Sequence, residues 1–90
     1  MTHEAFIEKA KELTLDFTNK QLVSKGGVPV TEAAIYVVWS CKTLQNSKAM
    51  LSSTVSDGMY YEATLNGDRK EIYFDAYRKI SNVAHSVIGG

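Results

Sequence analysis

The chain reads as an α+β protein: one N-terminal amphipathic helix packed on a four-stranded antiparallel meander sheet. Two observations predict this. Residues 34–77 are rich in β-branched and aromatic side chains and are punctuated by Asn46-Ser47, Ser56-Asp57-Gly58 and Asn66-Gly67-Asp68, the pattern of strands joined by tight turns. Ahead of that run, apolar residues recur at helical spacing instead of alternating. With 90 residues there is room for a single core. The expected organisation is one domain: helix about 3–23, connector 24–33, meander about 34–79 and tail 80–90.

The helix is argued from Phe6, Ala10, Leu13 and Phe17, which fall at i, i+4, i+7 and i+11 and so share one stripe. Ile7 and Thr14 flank it, and Glu8, Lys9, Lys11 and Glu12 face away. Thr2 is the expected N-cap, Glu4 sits in the first turn, and Gly26-Gly27 marks the exit. From Ala33 to Leu44 two readings compete. Thr31 followed by Glu32 could cap a second helix, but Ile35 to Trp39 are poor helix formers and apolar all round, which favours a strand. Strict alternation then sends Ile35, Val37, Trp39 and Cys41 inward and Tyr36, Val38, Ser40 and Lys42 outward.

Asn46-Ser47 is read as a turn into a second strand, Lys48 to Thr54, whose alternation is too weak to fix its inward face. The third strand, Met59 to Leu65, places Met59, Tyr61, Ala63 and Leu65 on one side; the fourth, about Lys70 to Lys79, places Ile72, Phe74 and Ala76 inward. Keeping both apolar sets on one face requires an even loop between them. A four-residue loop, Asn66 to Arg69, would pair Tyr61 with Phe74 and Ala63 with Ile72, and avoids setting Glu62 against Glu71 as a two-residue turn would. The tail from Ile80 either continues the fourth strand past a bulge or forms a short last turn, with Gly89-Gly90 frayed. The expected core is Phe6, Ala10, Leu13, Phe17, Ile35, Val37, Trp39, Tyr61, Ala63, Ile72 and Phe74.

Ten basic and ten acidic residues cancel, so no global field draws the chain to nucleic acid or to an anionic membrane. A single cysteine, Cys41, permits no internal disulfide and fits a reducing compartment, and the longest apolar run, Ala33 to Trp39, is far short of a membrane span. These features lead us to expect a cytoplasmic protein.

The residues Val38, Trp39, Lys42, Thr43, Leu44, Gln45 and Asn46, then Asp57, Gly58, Tyr60, Tyr61 and Glu62, then Asn66, Gly67 and Asp68, and finally Tyr73, Asp75, Tyr77 and Lys79 form a spaced pattern. It resembles that of a family of short uncharacterised proteins encoded by tailed phages and prophages of Gram-positive bacteria. The chain departs from the family pattern at Ser47, where the family carries an aromatic residue, and at Leu65, where it carries tyrosine. No activity is transferred by this resemblance. It implies a phage accessory protein acting in the bacterial cytoplasm, of the kind that binds and modulates a host or defence component.

Five tyrosines give the sharpest surface signal. On the expected strands Tyr36, Tyr60, Tyr73 and Tyr77 share the face opposite the helix, with Glu62 and Asp75 interleaved. Tyrosine offers large contact area at low entropic cost, so such a face suits partner binding or self-association; the plainer account is that tyrosine simply favours half-exposed strands. Lys42, Asn46 and Lys48 around the first hairpin could contact a small nucleotide, set against the ordinary reading of a solvated turn. Catalysis is not expected. Glu62, Glu71 and Asp75 lie on a flat sheet with no cleft to shift a carboxylate pKa, and Cys41 is expected buried and inert. His3 and His85 do not complete any metal-ligand spacing with Cys41, and no cofactor motif is present. The expected function is therefore non-enzymatic binding of a host or defence protein through the tyrosine face. The alternatives are an oligomeric sponge for a signalling nucleotide and, further off, a nucleic-acid-binding module.

Overall fold

A computed structural model describes residues 1–88 and shows the expected α+β arrangement. Helix α1 spans His3–Ser24, a 3-10 turn spans Glu32–Ala34, and strands β1 (Ile35–Thr43), β2 (Asn46–Ser53), β3 (Met59–Asn66) and β4 (Glu71–Arg78) form one antiparallel sheet in the order β1-β2-β3-β4. Gly89 and Gly90 lie outside the described residues.

The helix begins as its sequence requires. Thr2 has extended backbone, and its hydroxyl accepts from the Ala5 amide at 3.0 Å, satisfying one of the donors left open at a helix start. At the other end Gly26 takes φ +78°, a left-handed conformation that suits glycine, and the Gly27 amide donates back to the Leu22 carbonyl at 2.8 Å. The buried line of the helix is Phe6, Ala10, Thr14 and Thr18, an i+4 row slightly rotated from the expected stripe. Leu13, expected in the core, is only half-buried and lies outside the core cluster. Small Thr14 and Thr18 let the helix approach the sheet closely, and the Thr14 hydroxyl donates to the Ala10 carbonyl at 2.8 Å, so no polar atom is stranded.

A feature absent from the sequence reading fastens the connector. The Asn19 amide accepts from the Val30 N–H at 2.8 Å and donates to the Val30 carbonyl at 3.0 Å, holding an extended segment against the helix as a neighbouring strand would. His3 is half-buried and ties the helix start to the sheet through Ser47 (3.1 Å) and Ser40 (3.2 Å).

The main departure from expectation is in β1. Val37 pairs with Leu51 but Trp39 pairs with Met50, so Val38 is the extra residue of a β-bulge. The bulge reverses the alternation beyond it. Trp39 and Cys41, expected inward, turn to the outer face and are exposed, while Ser40 and Lys42, expected outward, turn to the helix side opposite Ala49 and Ser47. The volume expected of Trp39 is supplied by Ala49 and Leu51 from β2 and by Leu65. The first hairpin also turns earlier than expected: Thr43 pairs with Asn46, leaving Leu44-Gln45 as the loop.

In the last hairpin the four-residue loop and the parity are as expected, but the loop is Gly67–Lys70 and Asn66 pairs with Glu71. Tyr61 therefore opposes Ala76, Ala63 opposes Phe74, and Leu65 opposes Ile72. The expected stack of Tyr61 on Phe74 forms diagonally instead, with ring centroids 5.7 Å apart at 12°, and Phe17 meets Tyr61 edge-on at 5.5 Å. This register sets Glu62 against Asp75. Lys48 of β2 relieves the like-charge contact, its Nζ 3.3 Å from Glu62 Oε1. Beyond Arg78 the tail neither continues β4 nor forms a turn of helix; residues 79–88 are all exposed.

Candidate protein-binding face

The helix lies over β2, with β1 and β3 on either side, and so covers one face of the sheet. The opposite face is bare. Its rows follow from the register: Trp39, Met50, Glu62 and Asp75 lie side by side across the strands, as do Cys41, Lys48, Thr64 and Tyr73, and Tyr60 sits beside Tyr77. Tyr36 emerges from β1 opposite Ser52. The expected set Tyr36, Tyr60, Glu62, Tyr73, Asp75 and Tyr77 thus falls on one surface, and the bulge adds Trp39 to it.

The exposures are large for aromatic side chains: Tyr36 46%, Trp39 42%, Tyr73 48% and Tyr77 51%. Polar contacts hold part of the array in place. Tyr73 Oη donates to Glu71 Oε2 at 2.6 Å, and this hydrogen bond, with the carboxylate charge behind it, raises the phenol pKa above its ordinary value. The Lys79 ammonium stands over the Tyr60 ring, 5.6 Å from its centroid. Glu62 is bridged by Lys48, whereas Asp75 makes no ion pair among the described residues. The rings of Tyr36 and Trp39 on β1 and of Tyr73 and Tyr77 on β4 therefore flank a centre of Met50, Thr64 and the Lys48–Glu62 pair, and the carboxylates Glu62, Glu71 and Asp75 are matched by Lys48, Arg69 and Lys79.

The three residues expected around a small ligand are not brought together. Lys42 lies on the helix side of the sheet and Lys48 on the outer face, paired with Glu62; Asn46 Oδ1 accepts from the Gly67 amide at 3.1 Å and so joins the two hairpin loops. Lys42 instead borders a cavity of about 450 Å³ at the hairpin end, with Lys70, Met1, Leu44, Leu65 and Ile72. Leu44 and Lys70 are the non-glycine residues with positive φ among the described residues, +55° and +53°. Among the described residues no group of three or more His, Cys, Asp or Glu side chains could hold a metal ion. No described helix is long and apolar enough to cross a membrane, a statement that leaves β-barrels aside.

An uncovered aromatic sheet face on a small α+β scaffold defines the chain as a compact platform with one buried and one open side. The model of the Family of unknown function (DUF6275) matches residues 7–87, and the chain belongs to that family. No curated protein and no solved structure matches it at a significant level.

Proposed function

We propose that the protein is a non-enzymatic binder that engages a protein partner through the outer sheet face. The observation that carries this reading is the placing of Tyr36, Trp39, Tyr60, Tyr73 and Tyr77 on the one sheet face the helix leaves open. Four of these five rings are more than 40% exposed, a large share of aromatic surface to leave uncovered on one face. Large, rigid amphipathic rings are also the side chains that dominate binding hot spots. The resemblance to small phage and prophage proteins supports a host or defence protein in the bacterial cytoplasm as the partner. Asp75, which makes no ion pair among the described residues, favours a basic group opposite it on the partner. Alanine replacement of Tyr60, Tyr73 and Tyr77, singly, should weaken partner capture ~10-fold or more while leaving the melting temperature unchanged. Undiminished capture by all three variants refutes the reading.

A second reading, a sponge for a small signalling nucleotide, has one observation in its favour: the cavity bordered by Lys42 and Lys70, which offers two ammonium groups beside an apolar floor. Calorimetric titration with nucleotides separates it from the first, since Lys42→Gln should remove any binding at this cavity and leave the outer face untouched.

A further inference from the structure

Lys42, Ser47, Leu65 and Ile72 lie side by side across the four strands, the last helix-side row before the two hairpin loops. His3, the first residue of α1, is bonded to Ser47 of this row, so the helix begins here. The cavity of about 450 Å³ opens at the same place, lined by Lys42, Leu44, Leu65, Gly67, Lys70 and Ile72 among others. Its volume falls in the range of about 300–1,000 Å³ usual for small-molecule sites.

The lining has a definite chemistry. Leu65, 5% exposed, supplies an apolar wall together with Ile72 and Leu44. Lys42 and Lys70 supply two ammonium groups, no acid lines the cavity, and neither lysine makes an ion pair among the described residues. Lys42 owes its place to the bulge at Val38, since strict alternation would have sent it to the outer face. A positive charge is thus set beside apolar surface with no counter-charge.

The rim is strained and pinned. Leu44 and Lys70, which both line the cavity, hold φ +55° and +53°, a left-handed conformation that side chains other than glycine seldom adopt. Strain of this kind gathers at ligand sites. Asn46 Oδ1 accepts from the Gly67 amide, and a side chain at Gly67 would collide with the Gln45 carbonyl, so the two loops hold one another in place. The described lining offers no aromatic ring on which a base could stack and no carboxylate to hold a ribose.

We propose that this cavity binds a small amphipathic anion, an aliphatic chain ending in a single carboxylate or phosphate head. The chain lies against Leu44, Leu65 and Ile72, and the ammonium groups of Lys42 and Lys70 hold the head. The site is the one considered for a nucleotide, but the ligand class is different, and it is independent of the outer face.

The test is titration of the isotope-labelled full chain with decanoate and with decyl phosphate, each below its micelle concentration, followed by amide chemical shifts. Decanol, inorganic phosphate and AMP are titrated alongside. Saturable shifts at residues 42–45 and 65–72 with decanoate or decyl phosphate are expected, with decanol and inorganic phosphate at least ~10-fold weaker. Lys42→Gln and Lys70→Gln should each weaken binding ~10-fold at unchanged melting temperature. Leu44→Gly should weaken it too without lowering the melting temperature, because glycine takes φ +55° free of strain. The proposal is overturned by shifts that do not saturate or that fall on the outer-face amides. Decanol binding as tightly as decanoate, or both lysine variants binding like the wild type, overturns it as well. AMP shifting these amides when neither chain probe does overturns it in favour of the nucleotide reading. None of these results touches partner capture by the tyrosine variants, so the readings fail separately.

Discussion

Trp39 stands in the open on the outer face while Tyr61 is 1% exposed beneath the helix, so truncating these two aromatics has different consequences. Trp39→Ala should change stability by less than about 1 kcal/mol, because no cavity is created. Tyr61→Ala should cost about 3–5 kcal/mol through the cavity left between Phe17 and Phe74. Urea unfolding of both variants checks the pair, and a large loss at Trp39 would return it to the core. Tyr61 also sets an alkaline limit. Burial raises its phenol pKa above the ordinary 10.0, opposed by the Thr18 hydroxyl donating at 3.4 Å and assisted by the Asp57 charge. Above pH 10.0 the unfolded chain loses this proton before the folded one does, so stability falls as pH rises through the window between the two values. Tyr61→Phe should flatten that part of the stability–pH curve. Tyr73, exposed to solvent, should contribute little to it.

Among the elements, the connector shows how one side chain can stand in for a strand. Asn19→Ala removes both bonds to Val30 and should cost about 1–2 kcal/mol, with faster amide exchange confined to residues 28–31 as the accompanying sign. No periodicity announces such a clamp, since an asparagine in a helix reads as solvated surface. The same reason limited the reading of the strands. The helix, its Thr2 cap, the antiparallel meander and the inward sides of β3 and β4 were legible because period and turn chemistry encode them. The bulge at Val38 was not, because a run of Tyr36, Val37, Val38 and Trp39 is apolar on both faces and alternation has nothing polar to register against. That one residue moved Trp39 out of the core and onto the candidate site. The shift in the last hairpin has a different cause: it is relieved by Lys48, which belongs to a third strand.

At the scale of the whole molecule, one helix over a four-stranded sheet leaves a two-layer body with a single dry interface. The protein-binding reading follows from the side that remains wet. Four tyrosines of the outer face were legible in the sequence because strand parity alone places them; the separation of Lys42 from Lys48 was not, because it depends on the bulge. The family assignment places the chain among proteins of unknown function, so the face itself must be tested. The most direct measurement is native mass spectrometry of the purified protein after incubation with lysate of a Gram-positive bacterial host, wild type beside Tyr60→Ala, Tyr73→Ala and Tyr77→Ala of matched melting temperature. The account predicts a host protein bound stoichiometrically to the wild type and lost from the variants. The same protein retained by all three variants, or a wild type that carries only a mass of nucleotide size, would contradict it.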